Sequence, residues 1–284
     1  MLVLILALAL LVIATAAGLL GSLAGLGGGV ILTPVLVLFF GIPFGDAVGA
    51  SAVSVLATST TSGAAYVHER LTDLRIGNFL QIATVPGALI GATAIVLVAH
   101  TSLVPWLLIA LGVVLISTVP GSLAMRHEEH PPEVAGDALS QRLHLEGNYY
   151  DRFHQRVVHY RGQNSVRALE VMFAAGIVAG LFGIGSGVLK VLALDRALRL
   201  PMKASTATSN FMIGVTAAAT VGVLFAGGLV VPMLAAPIAI GTTAGAYVGS
   251  RLLPTLANRL VRWLFVVILV VLSLETIVRG ALSL

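Results

Sequence analysis

Polar and apolar positions along this chain separate on the scale of whole helices. Apolar runs cover roughly residues 3–24, 46–67, 78–99 and 103–124, then 167–183, 204–225, 231–250 and 260–280. A helix of about 20 apolar residues crosses the hydrocarbon of a bilayer, so the pattern predicts eight full spans. Two further apolar segments, 30–41 and 188–199, are too short to cross alone as straight helices. Each follows a glycine cluster, Gly25-Leu26-Gly27-Gly28-Gly29 and Gly183-Ile184-Gly185-Ser186-Gly187. One long polar stretch divides the chain. The expected organisation is a first transmembrane repeat over 1–124, a linker over 125–166 and a second repeat over 167–284.

The two clusters stand 158 residues apart, and the same offset continues without gaps. It pairs Gly18 with Gly176, Leu23 with Leu181, Val30 with Val188, Pro43 with Pro201 and Ser51 with Ser209. Further on it pairs Gly87-Ala88 with Gly245-Ala246, and Gly91 with Gly249. This is the mark of an internal duplication. Each half then has five apolar segments, and an odd number inverts the second half relative to the first. Charge follows the same alternation. Arg70, Arg75, Arg126, Arg142, Arg152, Arg156, Arg161, Arg167, Arg196, Arg199, Lys203, Arg251, Arg259 and Arg262 all fall on one side, which is 14 of the 16 Lys and Arg residues. The loaded side is expected to be cytoplasmic, with both termini outside. The exceptions are Lys190, inside a short segment, and Arg279, near the C-terminal end.

Composition agrees with a membrane class. Hydrophobic residues make up 58% of the 284 and charged residues 10%, against about 25% charged in soluble domains. A net charge of +4 follows topology here and implies no nucleic-acid partner. The absence of cysteine excludes disulfides, thiolate metal sites and cysteine nucleophiles. Met1 to Ala17 has the apolar character of a signal peptide but no basic n-region, and is expected to stay as the first span.

The linker holds 5 of the 7 histidines. Its start, Arg126 to Gly136, carries Pro131-Pro132 and reads as irregular chain. Gln141 to Arg161 alternates in part and suits a small β-hairpin or a short amphipathic helix. The order His127-Glu128-Glu129-His130 is not that of a zincin and runs into two prolines. No metal, cofactor or catalytic group is expected, since neither a Ser–His–Asp arrangement nor paired intramembrane carboxylates can be drawn.

Candidate chemistry centres on the glycine clusters. Neither fits a nucleotide motif. Unwound backbone at membrane depth survives only where protein or a water-filled cavity satisfies it. Short, Gly-interrupted segments in matching halves are a pointer to a transporter's binding site. Gly27, Gly28 and Gly29, with Gly185, Ser186 and Gly187, are the candidate backbone contacts, and the helix ends at Val30 and Val188 would face an anion. Ser51 and Ser54 lie on the next segment, and Thr206, Thr208, Ser209 and Asn210 at the matching place in the second half. These donate hydrogen bonds that suit an oxyanion. Lys190 is the one cation within an apolar segment, where an ionisable group is a functional candidate. The competing readings are close helix packing for the glycines, back-bonding to the preceding turn for the hydroxyls, and snorkelling or pairing with Asp195 for Lys190. Asp46, Glu69 and Asp73 sit near segment ends, as capping or solvated groups do.

These residues resemble the TauE/SafE family of sulfite and organosulfonate exporters. The resemblance spans both halves and leaves out only part of the linker. It rests on Gly25-Leu26-Gly27-Gly28-Gly29 with Pro34 and Pro43 in the first half. In the second half it rests on the run Gly180 to Val191, which includes Lys190, and on Pro201 to Ala217, which includes Thr208-Ser209-Asn210. Leu145-Glu146-Gly147-Asn148-Tyr149-Tyr150-Asp151 resembles one branch of the family. Ser186 stands where the family often has glycine and Leu192 where it often has proline, so the second half is expected to bend differently. The resemblance implies export of a small anion of the sulfite, thiosulfate or sulfonate class across the cell membrane, without ATP.

The expected fold is therefore all-α: a polytopic transmembrane helical protein of two inverted repeats, each with about four full spans and one short Gly-broken segment. Homo-oligomerisation is left open. Two other functional classes stay open beside the transporter, a gated anion channel and a membrane sensor or enzyme acting through 125–166.

Overall fold

The structure is a computed structural model that describes residues 2–24, 27–123, 136–151, 155–252 and 258–283. Gly25, Leu26 and the His127–Pro132 stretch lie outside the described residues. The first half contains α1 (Leu2–Ala24), α2 (Gly29–Phe40), α3 (Phe44–His68), α4 (Leu74–Val98) and α5 (Val104–Leu123). Then come a single helical turn, α6 (Ala138–Arg142), and two strands, β1 (Glu146–Asp151) and β2 (Arg156–Arg161). The second half contains α7 (Ser165–Phe182), α8 (Gly187–Leu192), which runs into a π-helical turn (Ala193–Ala197), then α9 (Met202–Ala226), α10 (Pro232–Leu252) and α11 (Asn258–Leu282).

The side chains are distributed inside out relative to a soluble protein. Ile82, Leu97, Phe225, Met233 and Ile240 face outward, whereas Ser51, Ser54, Thr58, Ser59, Ser62, Thr208, Ser209 and Asn210 are buried. That is what lipid selects, because hydrocarbon solvates Leu and Phe and offers nothing to a hydroxyl. Among the described residues, five helices are long and apolar enough to cross a membrane: Ile5–Leu23, Leu74–Val98, Ser165–Phe182, Lys203–Ala226 and Pro232–Arg251. The α3 helix is as long but less apolar, since it spends five inward positions on Ser51, Ser54, Thr58, Ser59 and Ser62.

Three helix pairs build the frame: α1 with α10, α4 with α7, and α5 with α11; α3 and α9 cross each other between them. The first two pairs approach backbone to backbone through glycine. A Cβ on Gly18 would strike the Thr242 backbone, and one on Gly176 the Thr84 backbone. Gly245 lies in the same way against Thr15, and Gly87 against Phe173. A shift of 158 residues carries each of these contacts onto the other half. Close approach of this kind maximises dispersion contact where no hydrophobic effect drives association. At the far end of α2, Arg279 donates to Val37 O (3.0 Å) and Leu38 O (2.6 Å). A cation there meets the negative end of the helix dipole.

The linker folds down onto the helix ends. The two strands pair antiparallel with Tyr149 opposite Val158 and Gly147 opposite Tyr160. Leu145, Tyr149, Val158 and Tyr160 are buried against Ile76 and Leu80 of α4, Met172 of α7, Leu198 and Met212. Tyr150, Val157 and His159 on the other face are exposed. Gly147-Asn148 lies within a strand. Gly147 is needed there for space, because a Cβ would sit 2.5 Å from both Asp73 Oδ2 and Tyr160 Oη. Tyr160 donates to Asp73 Oδ2 (3.0 Å). Burial, then the Asp73 charge, raises the Tyr160 phenol above its ordinary value, so it remains a donor. Asp73 also caps α4, its Oδ1 accepting from Ile76 N (3.0 Å).

Candidate functional site

Both glycine clusters interrupt helices. Helix α1 ends at Ala24 and α2 begins at Gly29; α7 ends at Phe182 and α8 begins at Gly187. Gly27 takes a left-handed backbone (φ +79°) and its amide turns back to Gly21 O (3.3 Å). The Gly28 amide donates to Thr58 Oγ1 (3.4 Å). In the second break Gly183, Gly185 and Ser186 all have positive φ. Ser186 is the one of these with a side chain, and it adopts φ +46° at a cost glycine escapes. Its Oγ donates to Ala175 O at 2.6 Å, which holds it there.

The two breaks touch. Thr33 Oγ1, on α2, lies 3.1 Å from Phe182 O and 3.2 Å from Gly29 O. A Cβ on Gly29 would come 2.6 Å from Gly183 O. Val55 stands between them, its methyls filling the space beside Gly27, Gly29 and Gly185. A small pocket opens at this junction, lined by Ala52, Val55, Ala179, Gly183, Gly185, Ala217 and Thr220.

The buried hydroxyls of the helices are of two kinds. Thr58, Ser62, Thr216, Thr220 and Thr242 bond back to the preceding turn of their own helix. Ser51, Ser54, Ser59 and Ser209 do not; each Oγ is fully buried with no partner among the described residues. Ser54 Oγ faces the first break, 2.9 Å from where a Cβ on Gly28 would sit. Ser51 lies beside the same break, its carbonyl 3.1 Å from the Cβ position of Gly29. A buried hydroxyl left without a partner costs free energy of about 1–3 kcal/mol.

The polar candidates do not form one cluster. Helices α3 and α9 meet at Ser59 with Gly214 and at Gly63 with Phe211. Near that crossing Ser62 Oγ lies 3.4 Å from Asn210 Oδ1, and Asn210 Nδ2 donates to Thr206 O (3.2 Å). From Ser51 to Ser62 is about 16 Å along a helix, so Ser51 and Asn210 sit at different levels of α3. Thr208 Oγ1 accepts from Asp73 N (3.0 Å), which ties it to the α4 cap below the linker hairpin. Gly187 is buried at the start of α8.

Lys190 is fully buried, so its head does not reach the surface. Its Nζ donates to Thr216 Oγ1 at 3.0 Å. Thr216 is also in contact with Gln81 of α4, whose Oε1 lies 3.3 Å away and whose Nε2 donates to Met212 O (2.9 Å). Gln81 and Thr216 escape a reading of glycine clusters and repeat-matched serines. An amide inside an apolar run, the signal that marks Asn210, marks Gln81 as well.

A family model described as "Sulfite exporter TauE/SafE" matches residues 10–276. Two curated proteins of Bacillus subtilis (strain 168) are similar. "Probable membrane transporter protein YunE" is 31% identical over 212 residues, covering 72% of each chain. "Probable membrane transporter protein YjnA" is 27% identical over 276 residues, covering 92% of this chain and 95% of the relative. No solved structure matches the chain significantly.

Proposed function

The chain belongs to the TauE/SafE family of multi-pass membrane transporters, and from that premise we propose that it exports a small anion of the sulfite, thiosulfate or sulfonate class. The observation that carries the proposal is that two helix breaks touch inside a molecule whose outer face is apolar, with Ser51 and Ser54 beside the first; their hydroxyls, like those of Ser59 and Ser209 elsewhere on α3 and α9, are buried with no partner among the described residues. An oxyanion leaving water needs donors, and a low-dielectric cavity strengthens each one. Hydroxyls and amides bind moderately, which permits release. In this reading the anion meets Gly27, Gly28, Gly29 and Ser51 on one side of the junction. On the other it meets Gly185, Ser186 and Gly187, with Lys190 as the source of positive potential, and its route runs past Thr208, Ser209 and Asn210 on α9. An inside-negative potential of 100 mV favours outward movement of each negative charge by about 2.3 kcal/mol, so export needs no ATP.

The test is thermal stabilisation of the purified protein by sulfite, thiosulfate, sulfate, taurine, sulfoacetate and chloride. At least one sulfur anion is expected to stabilise it. Asn210→Leu and Ser209→Val are expected to weaken that effect about tenfold each, the worth of one hydrogen bond to a charge, while folded protein persists. Unchanged binding in both variants would remove these residues from the site.

Topology is part of the same proposal: plasma membrane, both termini outside, and the loops 68–77, 125–166, 200–203 and 251–259 in the cytoplasm. The charge asymmetry supports it, and the way contacts map between halves supports two inverted repeats. Reporter fusions at residue 140 and at the C-terminus are expected to report opposite sides. A cytoplasmic C-terminus is incompatible with it.

A further inference from the structure

Three helices converge on one buried ammonium. Lys190 comes from α8, Thr216 from α9 and Gln81 from α4. Lys190 is 0% exposed, Thr216 1% and Gln81 8%. The protons of this group can be assigned. Met212 O can only accept, so the Gln81 amide must turn Nε2 toward it and Oε1 toward Thr216. Thr216 has one proton, and Met212 O at 2.6 Å takes it in preference to Gln81 Oε1 at 3.3 Å. The Thr216 lone pairs are then left for the Lys190 Nζ. The hydroxyl orients the ammonium and does not neutralise it.

The arrangement occurs once. The offset of 158 that relates the halves puts Leu32 opposite Lys190, Thr58 opposite Thr216 and Ala239 opposite Gln81. None of these carries a charge. When protonated, Lys190 in this neutral seat offers one unit of charge for a ligand to complement. A singly charged anion would cancel it, whereas a doubly charged one would leave an uncompensated negative charge in a low-dielectric interior, which is strongly disfavoured.

We propose that Lys190, seated by Thr216 and Gln81, is the counter-charge for the transported ion and selects singly over doubly charged anions. This rests on the anion-transporter reading and narrows its class to singly charged sulfur anions, bisulfite and simple sulfonates, leaving thiosulfate out, with Thr216 and Gln81 as positioning residues.

Methanesulfonate and sulfate test it, because the two are similar tetrahedra that differ by one charge. Binding to purified full-length protein is measured by thermal shift, with chloride and taurine alongside. Methanesulfonate is expected to bind at least tenfold more tightly than sulfate. Lys190→Met abolishes the preference. Thr216→Val weakens methanesulfonate about tenfold, and Thr216→Ser, which keeps the hydroxyl, restores it; a purely structural role would show in melting temperature without ligand and not in this ratio. Asp195→Asn leaves the ratio unchanged, and a gain in sulfate binding on that change would mean that the carboxylate sets the charge and overturns the proposal. Equal binding of the two anions, or wild-type affinity in Thr216→Val, overturns it as well while leaving an anion transporter standing. If none of these four solutes binds, and sulfite, thiosulfate and sulfoacetate do not bind either, the transporter reading falls with it.

Discussion

Gly180→Leu is expected to leave no folded protein. Gly180 lies on α7 where that helix crosses α4, and a Cβ there would strike Ala88 O, with Ala92 N at 2.7 Å and Ala88 C at 2.9 Å. All three are backbone atoms, so no rotamer change relieves the clash. The helices must part instead, and Gly176, Gly87 and Gly91 along the same seam lose their contacts together. Overpacking a core costs about 1–3 kcal/mol, and more where the neighbour is rigid. Here even Gly180→Ala is expected to lower the melting temperature, and leucine to abolish the monodisperse species in detergent. Gly222→Ala is the control. Nothing lies within 4 Å of that position, and alanine improves helix propensity there. A wild-type melt for Gly180→Leu would show that α4 and α7 do not pack as described.

Asp73→Ala carries the second large effect, on stability. One side chain serves two elements. Oδ1 caps α4 through Ile76 N, and Oδ2 accepts from Tyr160 of the linker hairpin. Loss of the cap costs about 1 kcal/mol, and the stranded Tyr160 hydroxyl costs about 1–3 kcal/mol more. The sum, roughly 2–4 kcal/mol, should appear as a lower melting temperature together with faster amide exchange in the first turn of α4. Asp73→Asn keeps a capping oxygen and is expected to lose about half as much. If Asp73→Ala exchanged at the wild-type rate in the Ile76 turn, the hairpin would not be anchored there.

The breaks were legible in the sequence because their cause is local. Glycine at Gly27, Gly183 and Gly185 permits the left-handed backbone that stops a helix. The offset of 158 between matching residues was legible because an offset needs no coordinates. The seating of Lys190 was not, since nothing in sequence says that Gln81, more than a hundred residues earlier, reaches α9. The depth of each hydroxyl was also hidden. Ser51 and Ser209 are equivalent by offset, and equivalence suggests proximity; but two helices crossing at Ser59 and Gly214 place equivalent residues on opposite sides of the crossing. Asp73 looked like a helix-end residue and is one, yet its bond to Tyr160 depends on where the linker lands.

The pairing of α1 with α10 has a consequence for how the chain is made. The groove that Gly18 and the small residues around it offer is filled by the helix around Gly241 and Gly245. The ribosome must add roughly 200 residues between the end of α1 and the start of α10. At about 5–20 residues per second that interval is roughly 10–40 s. Through it α1 is in the bilayer without its main partner, while α4 and α7, adjacent in order of synthesis apart from α5 and the linker, have already met. Assembly of this part of the chain therefore closes from the inside of the sequence outward, and α1 is among the last of its helices to be locked.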